Sequence, residues 1–235
     1  MEEALEDVGL AVRLEPGNAE YRFVLGALCE HVGLLSEATR IYGELTSTPH
    51  SSARANNPIF RLARVKWMAL DLEGAQSLYA TLPPELQWEL PAVLERLGRP
   101  QEARVLANSL EKFLRQNTAI QSDLNAVKAY LLARQGDVDG ARALAEASEK
   151  AGKGLAHFHH AAYHLACAYV AMGDEDNALR LLRLTSEEGM PCYPLFQKDP
   201  RLDPMRSRPV FKLFLEAQRV RWEGLKTRYA AAQHG

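Results

Sequence analysis

Apolar residues return with helical spacing along most of the chain, and short polar breaks separate the apolar segments. The segment LACAYVAMGDEDNALRLL at 165–182 shows this pattern clearly. Gly173 is expected to end one helix, because glycine tolerates the left-handed conformation at a helix C-terminus. Asp174 is expected to begin the next helix by accepting from free backbone N–H groups. The segment therefore predicts a helical hairpin.

Small residues recur at the same offsets in other parts of the chain. An alanine stands in the same position of six segments, at Ala4, Ala38, Ala75, Ala103, Ala141 and Ala178. Five residues earlier stand Gly33, Gly98, Gly136 and Gly173, with Leu70 as the exception. Twelve residues earlier stand Gly26, Ala63, Ala129 and Ala166, with Pro91 as the exception. Small side chains let the two helices of a hairpin approach closely, so we expect an array of hairpins with the six alanines at helix crossings.

This pattern resembles the tetratricopeptide repeat, a family of 34-residue helix-turn-helix units. The resemblance is strongest in AEYRFVLGALCEHVGLLSEATRIYGEL at 19–45 and AAYHLACAYVAMGDEDNALRLLRL at 161–184. The loop LEPGN at 14–18 is similar to the family's turn between repeats. The resemblance implies an all-α, right-handed superhelical solenoid of about five hairpins over residues 19–190. It is weaker in the middle, where Pro91 is expected to kink a helix.

The two ends of the chain are predicted to differ from the repeats. Residues 1–18 form the second helix of a truncated repeat, whose apolar positions are expected to fray unless a longer parent chain or another chain covers them. Residues 191–235 are predicted to form an extended loop and a C-terminal helix that caps the last apolar face, or else docks another domain. The motif DPRLDPMRSRPVF at 199–211 resembles the closing segment of repeat arrays in bacterial multidomain regulators. The alternative function is therefore a C-terminal sensor or regulatory part of a kinase or transcription regulator.

Composition narrows the class of partner. The 235 residues are 47% hydrophobic and 25% charged, which is typical of a soluble, folded protein. A formal net charge of −2 provides no bulk attraction for nucleic acid or anionic lipid, so neither is expected as a partner. No apolar run approaches the roughly 20 residues of a membrane helix. Three cysteines without a CxxC motif favour free thiols in a reducing compartment, which predicts a cytoplasmic protein.

The predicted binding surface follows from the resemblance, which places function on the concave side lined by the first helix of each hairpin. Carrying the groove-facing columns over gives nine partner-binding residues: Phe23, Glu30, Phe60, Arg64, Trp67, Trp88, Tyr130, His160 and Tyr163. Aromatic rings with few rotamers are favoured anchors for an extended peptide or an inserted helix, although each ring is equally well explained as core. Trp67 and Trp88 are expected to form the central anchor pocket. The chain is thus predicted to be a non-catalytic protein-interaction module.

The motif HFHHAAYH at 157–164 offers the one enzyme-like constellation in the sequence. His160, His164 and Cys167 stand at i, i+4 and i+7, and side chains at this spacing on one helical face can ligate zinc. Ala161 occupies the position where a zinc protease of the HExxH type carries its general base. A metal-dependent enzyme is therefore the least favoured alternative, and no catalytic residue, cofactor or metal is expected.

Overall fold

The regular structure of the chain is helical. The computed structural model describes residues 2–47, 57–114 and 118–234, and these ranges contain no β-strand. Their α-helices, in chain order, are α1 (Glu2–Leu14), α2 (Ala19–His31), α3 (Leu35–Leu45), α4 (Pro58–Met68), α5 (Leu72–Tyr79), α6 (Leu90–Arg96), α7 (Pro100–Leu114), α8 (Thr118–Arg134), α9 (Val138–Gly152), α10 (Phe158–Ala171), α11 (Glu175–Glu187), α12 (Tyr193–Lys198) and α13 (Pro209–His234). Two short 3-10 helices cover Pro84–Leu86 and Pro200–Met205. The predicted all-α fold is confirmed in the described residues.

Helices α2 to α11 follow one another as five pairs. Within a pair, α2 contacts α3, α6 contacts α7, α8 contacts α9 and α10 contacts α11. First helices also contact the first helix of the next pair, as α2 does with α4, α6 with α8 and α8 with α10. These contacts join the first hairpin to the second, and the third to the fourth and the fifth, which is the contact pattern of stacked hairpins.

The small-residue columns have the structural roles that the sequence predicts. Five of the six aligned alanines are completely buried, at Ala38, Ala75, Ala103, Ala141 and Ala178, whereas Ala4 is partly exposed. The glycines at the ends of the first helices have positive φ angles, at Gly33, Gly98, Gly136 and Gly173. Leu70, the exception in the glycine column, adopts the same conformation with a φ of 69°. The turn geometry is thus kept even where the sequence lacks glycine.

Pro91 does not kink a helix, contrary to the prediction. Helix α6 begins at Leu90, so Pro91 lies in its first turn. The backbone N–H that proline lacks has no helical partner at this position, so proline is tolerated there. The 3-10 helix Pro84–Leu86 precedes this short helix. The third hairpin therefore differs from the others because α6 is short, not because Pro91 bends it.

The chain divides into two compact units. Unit 1 comprises Met1–Leu78, Pro191–Lys198 and Leu213–Gly235, and unit 2 comprises Tyr79–Met190 and Asp199–Lys212. The predicted boundaries at residues 18 and 190 fall between helices, but the units follow a different division. Residues 19–190 contribute to both units, and so do residues 191–235.

The final helix covers an apolar face of unit 1. Leu225 and Tyr229 are buried in the same core cluster as Leu5 of α1, Leu25 of α2 and Ile41 of α3. The indole N–H of the final helix's Trp222 donates to the carbonyl oxygen of Gly33 at 3.2 Å. The predicted capping role of the helix is therefore met in unit 1, whereas the sequence placed it on the last hairpin. An apolar helical face predicts that a helix is buried, but it does not identify the partner helix.

The same contacts correct the expectation that residues 1–14 lack cover. Leu5 is only 1% exposed, and Val8 and Val12 pack against the unit 1 core. Arg228 of the final helix also lies 3.3 Å from Glu6. In the described part of the chain, no helix combines the length and the apolar composition that crossing a bilayer requires.

Candidate functional site

Most of the nine predicted groove residues are buried. Phe23 is partly exposed, and the other eight have at most 8% of their surface exposed: Glu30, Phe60, Arg64, Trp67, Trp88, Tyr130, His160 and Tyr163. The first five predicted residues lie in unit 1, and the last four lie in unit 2. Eight of the nine side chains are therefore interior in this structure, and they are divided between the two units.

The cluster in unit 1 is centred on the Glu30 carboxylate, which is completely buried. It lies 3.3 Å from Arg61 Nη1 and 3.5 Å from Arg64 Nη1, and it accepts a hydrogen bond of 3.1 Å from the Tyr42 hydroxyl. A buried carboxylate is costly unless charged and hydrogen-bonding groups surround it, and here two guanidinium groups and a phenol do so. Because Glu30, Tyr42 and Arg64 belong to α2, α3 and α4, the cluster joins three helices.

The aromatic members of the unit 1 cluster pack on these arginines. The Arg64 guanidinium lies over the Phe60 ring, 4.6 Å from its centroid, and the Phe23 ring lies 5.5 Å from that of Tyr42. Burial raises the pKa of Tyr42 well above its usual value, and the nearby Glu30 charge acts in the same direction. The phenol therefore remains a hydrogen-bond donor.

Trp67 of unit 1 and Trp88 of unit 2, which the sequence predicts to be groove anchors, are both buried. Trp67 is 2% exposed and Trp88 is completely buried. The Trp88 ring packs edge-on against His164, with ring centroids 5.9 Å apart. Helical spacing alone cannot distinguish an aromatic residue in a groove from one in the core, and these two belong to the core.

Tyr130 and Tyr163 face a common point in unit 2. Tyr130 belongs to α8 and Tyr163 to α10, the first helices of consecutive hairpins. The guanidinium carbon of Arg201 lies 5.3 Å from the centroid of each ring. Two residues that the sequence predicts to line a binding groove are thus brought together, and an arginine of the same chain occupies the space between them. We call Tyr130, Tyr163 and the surrounding charged groups the arginine pocket.

The Asp199 carboxylate holds the Arg201 guanidinium in the arginine pocket. Arg201 Nη2 and Nε donate to Asp199 Oδ2 at 2.7 and 3.0 Å, and the Tyr163 hydroxyl donates to the same oxygen at 2.8 Å. Arg96 Nη2 lies 4.0 Å from Asp199 Oδ1. Burial by itself would raise the pKa of Asp199, but the charges of Arg201 and Arg96 outweigh it and lower the pKa. Asp199 is therefore ionised at neutral pH.

The 3-10 helix Pro200–Met205 brings Arg201 to the arginine pocket. Asp199 caps this helix, because its side chain accepts from the backbone N–H of Arg201 at 3.0 Å. Leu202 and Met205 are buried, so the segment is anchored directly after its charged pair. The motif at 199–211 was predicted to close the array, but its contact with the predicted groove residues Tyr130 and Tyr163 was not predicted. The signal that could have indicated this charged pair is an aspartate two residues before an arginine, with Pro200 between them.

His164 and Cys167 complete the surroundings of Arg201. His164 Nδ1 lies 3.4 Å from Arg201 Nη1, and its Nε2 lies 3.8 Å from Glu89 Oε1. Burial lowers the pKa of His164, so the ring is neutral, and burial raises the pKa of the Cys167 thiol to about 12. A thiol of this pKa is a poor metal ligand and a poor nucleophile at neutral pH.

The alternative zinc face of His160, His164 and Cys167 is not assembled. Within the described ranges, His164 and Cys167 belong to no group of ligand atoms close enough to hold one ion. The structure brings His160 instead towards His157 and His159, and one nitrogen from each of these three rings lies within 4.8 Å of the others. The helical spacing i, i+4, i+7 therefore identified one member of a histidine cluster but assigned the wrong neighbours.

Comparison with known proteins gives similarity among solved structures. No family model matches the chain, and no curated protein matches it in sequence. Among solved structures, a crystal structure of YrrB, described as a TPR protein with an unusual peptide-binding site, covers 79% of this chain and 93% of its own. The identity is 19% and the TM-score is 0.41. The all-α assignment therefore rests on the helices and hairpins of this chain.

Proposed function

We propose that this protein is a non-catalytic protein-interaction module whose unit 2 binds a chain segment through an arginine. The observation that supports this function is the position of Arg201 between the rings of Tyr130 and Tyr163, at 5.3 Å from both. Tyrosine faces and a carboxylate are the groups that recognise a planar guanidinium in a desolvated site. In this proposal, residues 199–205 are a resident ligand in cis, and a partner competes with them.

The chemistry of the arginine pocket defines the partner class. A competing segment would carry an arginine close to an aspartate or glutamate, because the guanidinium reaches the pocket together with a carboxylate that faces Arg96. Apolar side chains after the arginine would replace Leu202 and Met205, which are buried beside it. A lysine would be a weaker ligand, since its compact ammonium group cannot form paired planar hydrogen bonds.

The state of the titratable groups supports binding rather than catalysis. The Cys167 thiol has a pKa of about 12, and the pKa of the Tyr163 hydroxyl is raised mainly by burial and then by the Asp199 charge. Neither group is an activated nucleophile or a general base at neutral pH. These side chains hold Arg201 in place and remain protonated.

A peptide experiment tests the proposed function. The double variant Asp199→Ala, Arg201→Ala removes the charged pair that anchors the resident segment. A labelled peptide with the sequence of residues 196–208 is then titrated against this variant and against the unchanged protein, and binding is followed by fluorescence anisotropy. We expect binding to the double variant, and binding at least about tenfold weaker to the unchanged protein, where the resident segment competes.

A matched peptide separates arginine recognition from general adhesion. This control peptide differs only by alanine in place of the arginine that corresponds to Arg201, and we expect it to lose most of the binding. Equal binding of both peptides, or no binding of either to a double variant that circular dichroism shows to be helical, contradicts the proposal. Cytoplasmic location, and membership of a longer signalling protein, stay predictions from the sequence.

A further inference from the structure

A cluster of three histidines lies at the N-terminal end of α10, one helical turn before Tyr163 of the arginine pocket. His157 precedes the helix and is exposed, whereas His159 and His160 are 3% and 7% exposed. The rings of His159 and His160 are 4.4 Å apart between centroids, and the His157 ring lies 5.5 Å from His159 and 6.2 Å from His160. Three imidazoles therefore converge from four consecutive positions of the chain.

The hydrogen bond of His159 fixes which of its nitrogens can bind a cation. His159 Nδ1 lies 3.1 Å from the backbone carbonyl oxygen of Glu188. A carbonyl oxygen can only accept, so Nδ1 carries the proton, and Nε2 of the neutral ring keeps its lone pair. Metal-binding histidines usually donate their second ring N–H to a carbonyl or a carboxylate in this way.

The surroundings of His159 hold its ring in one orientation. Gly189 has a φ of 136°, and a Cβ atom placed there would lie 3.3 Å from His159 Nδ1 and Cε1. The backbone thus passes close to the ring, which limits its rotation. The Glu188 carbonyl follows the C-terminal end of α11, whose helix dipole places partial negative charge beside the cluster. This negative end offsets the partial positive charge that α10 presents at its N-terminus.

We propose that His157, His159 and His160 form a binding site for a divalent transition-metal ion of the Zn²⁺, Co²⁺ or Ni²⁺ class. Three imidazole nitrogens with mutual distances of up to 4.8 Å are brought together here. A tetrahedral zinc ion with Zn–N bonds of about 2.0–2.1 Å requires ligand nitrogens about 3.4 Å apart. In this proposal, rotation of the exposed His157 ring brings its nitrogen closer to those of His159 and His160.

The ligand set selects the class of metal. Imidazole suits zinc, cobalt, nickel and copper, whereas magnesium and calcium require oxygen ligands. Because neutral imidazole is the binding form, protons compete with the metal. The site differs from the face of His160, His164 and Cys167, since His164 and Cys167 take no part in it.

Metal titration of the protein tests this proposal. The full chain is purified without a polyhistidine tag, stripped with a chelator and titrated with Zn²⁺ by calorimetry. Co²⁺ is then added as a probe, because its visible absorption reports tetrahedral coordination. We expect one ion per chain, a higher melting temperature with Zn²⁺, and an affinity at least about tenfold weaker in His157→Ala. The control His234→Ala removes a histidine from another part of the sequence and should bind Zn²⁺ like the unchanged protein.

Folding does not obscure the result, since His157 is exposed and its replacement by alanine leaves the buried cluster in place. His160→Gln gives a second test at a buried position, with circular dichroism as the check on helix content. Unchanged affinity in His157→Ala overturns the proposal. So does a folded protein that binds no Zn²⁺, or one that takes up several Co²⁺ ions with only the weak absorption of octahedral coordination.

Discussion

Replacing Arg201 by methionine should destabilise unit 2 strongly. Methionine keeps the length and most of the apolar stem of arginine, so the substitution removes mainly the guanidinium charge. Asp199 then remains as a carboxylate with no exposed surface and without its principal partner. Breaking a buried ion pair in this way typically costs about 3–5 kcal/mol of unfolding free energy.

The contacts that Asp199 keeps in Arg201→Met place the expected loss of unfolding free energy within that range. Asp199 keeps the hydrogen bond from Tyr163 at 2.8 Å and the Arg96 guanidinium at 4.0 Å, which reduces the penalty. Two cation–π contacts are lost at the same time, and desolvated contacts of this kind contribute about 2 kcal/mol. We therefore expect a loss of about 4 kcal/mol. For a chain of this length, the melting temperature should fall by roughly 8–16 °C.

A double-mutant cycle measures how much of this loss belongs to the pair. Arg201→Met, Asp199→Asn and the double variant are unfolded by heat and by urea at pH 7, with far-ultraviolet circular dichroism as the signal. The double variant should lose clearly less than the sum of the two single losses, because it buries no uncompensated charge. Arg208→Met is the matched control, since Arg208 pairs with Glu175 at the surface and should cost at most about 1 kcal/mol.

Two results would refute the reasoning about the arginine pocket. The first is a loss below about 1 kcal/mol for Arg201→Met, which is the scale of a surface ion pair. The second is strict additivity in the cycle, which would mean that Asp199 and Arg201 do not stabilise each other. Either result would also remove the main support for residues 199–205 as a resident ligand.

Two further predictions concern the turns and the pH dependence of stability. Leu70→Gly should stabilise the protein by up to about 1 kcal/mol, because a leucine with a φ of 69° is strained. Gly173→Ala should cost about 1 kcal/mol at an equivalent turn, where the added methyl group has open space around it. Equal urea midpoints for the two variants would contradict this prediction. Burial lowers the pKa of His164 in the folded protein, so the unfolded chain takes up this proton at a higher pH. The free energy of unfolding should therefore fall below about pH 6.5, by up to about 1.4 kcal/mol per pH unit. The urea midpoint, measured between pH 7.5 and 5, should change less with pH in His164→Gln than in the unchanged protein. An equal change in both proteins would assign the effect to another group.

The hairpins could be predicted because their signals are local and repeated. Gly173 and Asp174 specify the end of one helix and the start of the next within two residues, and the structure shows Gly173 with positive φ and Asp174 as an N-cap. The alanine column marks helix crossings because a larger side chain would hold the two helices apart. Leu70, the exception in the glycine column, has the same positive φ as the glycines, although leucine disfavours this conformation.

Contacts between distant parts of the chain could not be predicted in the same way. The apolar face of the final helix indicates burial, but the same face fits any complementary apolar surface. Its position in the core of unit 1 depends on details such as the Trp222 hydrogen bond to Gly33, which no periodicity encodes. The buried tryptophans illustrate the same limit, since a ring on the predicted inner face of a first helix can be covered by the chain itself.

Tyr130 and Tyr163 show how far the sequence leads towards the site. They stand 33 residues apart, close to one repeat, so the repeat alone predicts that both face the same side of consecutive hairpins. What they bind is set by residues 199–205, which have no periodicity and are too short to specify a partner by propensity. The electrostatic requirement is more informative: a buried arginine needs a carboxylate and aromatic faces, and Asp199, Tyr130 and Tyr163 supply them. The arginine pocket therefore joins two features that were predicted separately from the sequence. One is the set of aromatic residues on the first helices, and the other is the charged motif of the closing segment.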